Sequence, residues 1–241
     1  VEVLYFNPLF VSPSNHKYDC QDYEHIDPHF TVIKNDGGNV LLEGCKDNMQ
    51  ASKYIARTAN LENLEASNEF FAKFCEELHR RGMKIIIDGV FNHSGSFNKW
   101  MDRERIYEGQ EGFAKGAFVD KESPYHTFYR FNEDCWPYNK SYDGWWSNDT
   151  LPKLNYESSP MLEDYIIEIG KKWVSPPYCV DGWRLDVAAD LGHSAEYNHH
   201  FWKRFRKAVK EINPDVMIYA EHYGDASSWM QGNQWDTVMN Y

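Results

Sequence analysis

The sequence predicts an α/β fold built on a parallel sheet. Three observations predict it. Strand-like runs alternate with amphipathic helical segments, a helix passes into a strand through a short glycine turn, and polar residues collect where strands end. Helix, short turn and strand in that order are half of a parallel βαβ unit.

The elements follow in chain order. Val3 to Phe10 (VLYFNPLF) is a near-continuous apolar run stopped by Ser12-Pro13, the pattern of a strand buried on both faces. Ser14 to Asn63 is polar, carries Gly37-Gly38 and shows few periodic signals. A helix follows, with Phe70, Phe71, Phe74 and Leu78 as its apolar face and Gly82 at the C-terminal cap position. Lys84 to Asp88 is a second buried strand. Ser94 to Tyr156 interrupts the alternation and holds 15 Phe, Tyr or Trp in 63 positions, a density above the 16% of the whole chain. It is too long for a plain loop and reads as an inserted subdomain. Ser159-Pro160 opens a helix with Pro at its first position, and Leu162, Tyr165, Ile166, Ile169 and Trp173 form its stripe. Val180 to Val187 is strand-like. A third helix places Phe201, Trp202, Phe205, Val209 and Ile212 on one face and stops at Pro214. Val216 to Ala220 and Thr237 to Tyr241 read as the last strands.

Composition narrows the class of function. The chain has 241 residues, enough to bury roughly 70% of its unfolded surface. It carries 25 Lys and Arg against 37 Asp and Glu, a net charge of −12, which argues against a nucleic-acid footprint. No run approaches the ~18 apolar residues of a membrane helix. An acidic, aromatic-rich chain suits a neutral ligand with flat apolar faces and many hydroxyls, such as a sugar polymer. The five cysteines (Cys20, Cys45, Cys75, Cys135 and Cys179) are odd in number and widely spaced, which suggests reduced thiols and a cytoplasmic setting. The chain opens on Val1-Glu2 inside a strand, so the N-terminus is expected to lie further upstream. The sequons at Asn92, Asn139 and Asn148 are taken as chance matches.

Alternating strands and helices leave two architectures, a doubly wound sheet or an eightfold barrel. Neither GxGxxG nor GxxxxGK[ST] follows any strand, which weakens the nucleotide-binding option. Polar residues sit instead at strand C-terminal ends: Asp88 with Asn92 and His93, Arg184 with Asp186, then Glu221. Barrel enzymes place their catalytic groups on that rim.

In GWRLDVA, Arg184 and Asp186 are two apart and project to the same side of an extended strand. A carboxylate beside a guanidinium stays ionised, as a nucleophile must. A structural ion pair is the alternative reading of that pair alone. Glu221 ends the next strand, and neighbouring strands lie about 4.8 Å apart. Two strand-end carboxylates can thus approach the ~5 to 5.5 Å separation of a retaining glycosidase. His93 reads equally as a donor to a sugar hydroxyl or as a satisfied buried imidazole. Asp88 reads as the holder of the arginine. Asn92 is one oxygen ligand of the kind hard cations take, and one ligand does not make a calcium site.

These motifs resemble the α-amylase superfamily, glycoside hydrolase family 13. DGVFNH resembles its first short signature, GWRLDVA its second and the Glu of AEHYGDA its third, in the family's order. Ser12 to Phe30 resembles the stretch after barrel strand two. LPKLN, Leu151 to Asn155, resembles the extra signature of the neopullulanase, cyclomaltodextrinase and maltogenic-amylase group. The resemblance implies a partial (β/α)8 TIM barrel of about strands two to six. Residues 1–93 would hold strands two and three with a long connecting segment, 94–156 an inserted domain B after strand three, and 157–241 strands four to six. It also implies a retaining α-glucan hydrolase acting on cyclodextrins, pullulan or maltooligosaccharides, with Asp186 as nucleophile, Glu221 as acid/base and Arg184 orienting the nucleophile. Tyr18 and His93 would bind the sugar, with Asp88 in support. Trp145 and Trp146 would be sugar platforms or core packing. No cofactor is required, calcium is allowed, and the full-length protein is compatible with a homodimer.

Three departures from the family pattern stand out. The fourth signature, a His-Asp pair after strand seven, does not occur, so the 241-residue chain alone is expected to be inactive and poorly soluble. The Lys-His pair that typically follows the nucleophile is replaced by Ala189 and Asp190, which points away from classical α-amylases. The segment 31–63 is longer than in most members and has no functional reading. Three rival classes remain: a transglycosylating member, a glycan-binding relative that would have lost these carboxylates, and an aldolase or metal hydrolase, whose strand-end Lys or metal cluster is not seen.

Overall fold

The computed structural model describes residues 1–240. Tyr241, at the end of the last expected strand, lies outside the described residues. The strands in chain order are β1 (Val3–Phe6), β2 (Phe10–Val11), β3 (Asp22–Ile26), β4 (Lys84–Gly89), β5 (Gly182–Leu185), β6 (Met217–Ala220) and β7 (Thr237–Val238). The α-helices are α1 (Ser52–Ala59), α2 (Leu61–Arg80), α3 (Pro160–Val174) and α4 (Ala195–Ile212). Two compact units arise, one of residues 1–8, 72–92 and 154–240, the other of residues 9–71 and 93–153.

The first unit carries the parallel sheet, in the order β1-β4-β5-β6-β7. Its register pairs Asp88 with Arg184, Arg184 with Tyr219 and Leu185 with Ala220, so the polar strand ends fall side by side. The sheet is the partial barrel expected of the sequence. β1 differs from expectation: it is four residues long, and Val3 and Tyr5 are exposed. It pairs only with β4 among the described strands, and an edge strand is covered from one side.

The helices close where their sequences end them. Ser159 caps α3 by accepting from the backbone N–H of Leu162, with Pro160 at the first turn. Gly82, at φ +72°, ends α2, and the N–H of Met83 reaches back to the carbonyl of Leu78. The stripe of α2 is Leu64, Phe71, Cys75 and Leu78, whereas Phe70 is 45% exposed. Successive helical residues turn about 100°, so Phe70 and Phe71 cannot share the stripe's centre. On α4, Ile212 at the last turn is likewise exposed rather than part of the apolar face. Gly170 lets α3 approach α4 closely: a Cβ there would stand 2.5 Å from the Phe205 ring.

The second unit contains α1 and the antiparallel pair β2-β3; β2 takes Phe10 from the end of the expected Val3 to Phe10 strand, and α1 and β3 have no periodic signal in the sequence. Its division from the first unit is drawn differently from a split at 93/94 and 156/157, because residues 9–71 gather with 93–153. The backbone N–H of Gly95 and the side chain of Asn98 both donate to the Cys20 carbonyl, and Tyr23 stacks on Trp100 at 5.3 Å. Of the fifteen rings of the insertion seven are buried, seven are half-buried and one is exposed. Trp100, Tyr107, Phe118, Phe128, Tyr129 and Tyr142 are buried, while Trp146 is 84% exposed. No helix among the described residues is long and apolar enough to cross a membrane.

Candidate active site

In the first unit, Asp88 is the penultimate residue of β4, Arg184 lies in β5, and Asp186 and Glu221 stand one residue beyond β5 and β6. All four are buried. The same-side projection of residues two apart brings Arg184 onto Asp186, at 2.8 Å from Nη1 to Oδ1. Nη1 also reaches both oxygens of Asp88, at 3.0 and 3.2 Å, and Nη2 meets Glu221 Oε2 at 2.9 Å. Nε donates to Met239 Sδ at 3.3 Å. One guanidinium therefore ties together three carboxylates from three adjacent strands.

The electrostatics follow from that ratio. Burial opposes the charge of Arg184, but Asp88, Asp186 and Glu221 outweigh it and hold the guanidinium above its ordinary range. Burial, then the charge of Asp88, pushes the Asp186 carboxyl up to about 8, with Arg184 pulling the other way. The sequence reading expected Arg184 to keep Asp186 ionised. The difference arises because the arginine is divided among three anions and Asp186 is buried among them. Three negative groups against one positive hold a proton, and the cluster titrates as a unit.

Three further residues complete the cluster without having been singled out in the sequence. Tyr5 donates its hydroxyl to Asp88 Oδ2 at 2.7 Å. The signal for it was a hydroxyl inside an otherwise apolar strand. Val187, in the left-handed region at φ 38°, ψ 47°, donates its N–H to Glu221 Oε2 at 3.0 Å. Tyr223 donates its hydroxyl to Glu221 Oε1 at 2.9 Å.

The second unit holds Tyr18, His93, Trp145 and Trp146. His93 Nε2 donates to the Tyr18 carbonyl at 3.2 Å, and its ring stacks on Trp145 at 4.9 Å and 9°. Burial, then Lys153, lowers the imidazole to about 3 against the pull of the Tyr18 carbonyl, so His93 is neutral at ordinary pH. Tyr18 is half-buried and its ring stacks on His16. Trp145 lies against Trp146 at 5.3 Å. Asn92, in the first unit, is wholly buried, and its carbonyl accepts from Leu154. A calcium ion takes six to eight oxygens. Among the described residues no three His, Cys, Asp or Glu gather as a metal site.

The family described as alpha amylase, catalytic domain, matches residues 46–241. The chain is 33% identical over 241 residues to Neopullulanase 2 of Thermoactinomyces vulgaris, covering all of this chain and 32% of that protein. It is 33% identical over 239 residues to a cyclomaltodextrinase of Geobacillus thermopakistaniensis, covering 99% of this chain and 32% of the relative. In three dimensions it is similar to the type III pullulan hydrolase from Thermococcus kodakarensis, with a TM-score of 0.70 at 27% identity, over all of this chain and 33% of the other. The chain thus spans about a third of the length of the curated relatives it matches. With its parallel half-barrel and its strand-end signatures in the family's order, the chain belongs to the α-amylase catalytic-domain family.

Proposed function

We propose that this chain carries the reacting carboxylates of a retaining α-glucan hydrolase. The observation that carries the reading is the bridging of Asp186 and Glu221 by the two terminal nitrogens of one buried guanidinium. That arrangement holds two carboxyl groups beside one another, as a double displacement needs. In the reacting form the proton that the cluster shares stands on Glu221, so Asp186 attacks the anomeric carbon as an anion while Glu221 gives that proton to the departing glycosidic oxygen. The product is a glycosyl ester on Asp186. Glu221 then takes a proton from water, the water oxygen bonds to the anomeric carbon, and Asp186 leaves. Asp88 keeps Arg184 in place. An acceptor sugar in place of water turns the same intermediate to transglycosylation.

The proposed substrates are cyclodextrins, pullulan and maltooligosaccharides, cleaved at α-1,4 and α-1,6 bonds. The names of the relatives support this class, because they are neopullulanases and cyclomaltodextrinases. Tyr18 and His93 are the proposed sugar-binding pair of the second unit. Tyr18 offers a ring face, and the neutral His93 fixes the Tyr18 backbone through its Nε2–H. Residues 94–156 are proposed as the inserted domain B.

The test is Asp186→Asn in the full-length protein, assayed on maltotriose and cyclodextrin. The expected loss is at least about 10³-fold, since the covalent step has no nucleophile. A rate within tenfold of wild type overturns the nucleophile role. NMR of fresh product is expected to show retained anomeric configuration, and net inversion rejects the double displacement.

A further inference from the structure

We propose that Tyr223 is a positioning residue for the acid/base, its hydroxyl holding the Oε1 edge of Glu221, which carries the transferable proton. The inference rests on the hydrolase reading above and adds a residue to it.

The argument starts from the other edge of Glu221. Oε2 accepts from the backbone N–H of Val187 at 3.0 Å and from Nη2 of Arg184 at 2.9 Å. Both donors are held firmly. The Val187 amide is fixed by a left-handed backbone that a β-branched residue seldom adopts. Arg184 is held by Asp88, Asp186 and Met239 as well. A proton on Oε2 would face two N–H donors, neither of which can accept it. The proton therefore resides on Oε1.

Oε1 lies 2.9 Å from the hydroxyl of Tyr223, two residues further along the chain. A phenol both donates and accepts. It donates to the anionic carboxylate, as in this structure, and by rotating accepts from the protonated one. The tyrosine's own proton is not consumed. In the first step the Glu221 proton moves from Oε1 to the glycosidic oxygen as the C–O bond breaks and Asp186 bonds to carbon. The hydroxyl then donates to the new carboxylate until water returns a proton to Oε1. Tyr223 is 73% exposed, so its ring contributes little to the core.

A hydrogen bond to a charged acceptor is stronger than one to a neutral acceptor. Tyr223 thus favours the anion and draws the alkaline limb of the rate profile to lower pH. Arg184 on β5 meets Glu221 directly, the same guanidinium is shared with Asp186 beyond β5 and Asp88 on β4, and the Tyr5 hydroxyl lies on Asp88. All of them remain when Tyr223 is changed.

The experiment compares kcat/KM against pH for wild type and Tyr223→Phe in the full-length protein, with maltotriose as substrate and Glu221→Gln as a control. The expected result is an alkaline limb displaced upward by about half to one pH unit, with the acidic limb in place. A ring that served packing alone would leave both limbs where they are. An unmoved or lowered alkaline limb, with Glu221→Gln inactive, overturns the role of Tyr223 and leaves the hydrolase reading standing. An active Glu221→Gln overturns both.

Discussion

Arg184 meets Asp88, Asp186 and Glu221 at 2.8 to 3.0 Å, and two of its terminal nitrogens are needed to do so. A lysine keeps the charge but offers one nitrogen on a flexible stem. Arg184→Lys in the full-length protein is therefore expected to lower kcat/KM by about 10²-fold or more, measured on cyclodextrin. Asp186 makes a second prediction, on stability. Its carboxyl is raised to about 8 in the folded protein, against about 4 in an unfolded chain. The folded state holds that proton more tightly, so Asp186 costs nothing below about pH 4 and destabilises increasingly as pH rises towards 8. Asp186→Asn removes that cost. Denaturant unfolding is expected to show the variant as stable as wild type near pH 4 and more stable near pH 8, by on the order of a few kcal/mol. An equal difference at both pH values counts against the raised carboxyl. At this scale the sequence shows Arg184, Asp186 and Glu221, because two-residue spacing in a strand and adjacency of strand ends are local rules. It does not show Tyr5, Val187 or Tyr223, whose parts depend on the reach of a side chain and on one backbone angle.

The elements obey local chemistry where their caps and stripes are strong. Ser159 and Pro160 announce α3, and the cap forms as read, with the serine hydroxyl on the Leu162 amide. Ser159→Ala is expected to cost about 1 kcal/mol in denaturant unfolding, and Ser159→Asp to restore most of it. Gly170 is a stronger constraint, because its contact is between helices. Gly170→Ala is expected to destabilise by roughly 1–3 kcal/mol, although alanine is the better helix former, since the added methyl meets Phe205. Phe205→Leu in the same background is expected to recover part of that loss. The elements that escape sequence reading are of another kind. α1 has a single buried residue, Thr58, and β2 is two residues long. Elements this short carry too few periods to register, and they are stabilised by partners far along the chain, such as the Tyr54 hydroxyl on the Gln21 side chain.

At the scale of the molecule, the sheet has β1 on one edge and β7 on the other, and the order does not close on itself among the described strands. Open strand edges pair with other chains. The 241-residue polypeptide produced alone is expected to self-associate and to turn over cyclodextrin far more slowly than the full-length protein; light scattering and product analysis check the two halves of that statement. A monodisperse monomer with full activity contradicts it. The aromatic content also changes meaning at this scale: all but one of the insertion's rings are buried or half-buried, and Trp146 stands out by its exposure. The sequence by itself determined the α/β class, the order of strands and helices and the identity of the strand-end carboxylates, because periodicity, caps and signature spacing act within a few residues. Only the tertiary structure decided that residues 9–71 gather with 93–153, that one arginine is divided among three acids, and that the Asp186 carboxyl is raised by burial among them. Those outcomes depend on burial and on charges brought together from residues up to 133 positions apart, from Asp88 to Glu221, a relation that no local pattern encodes.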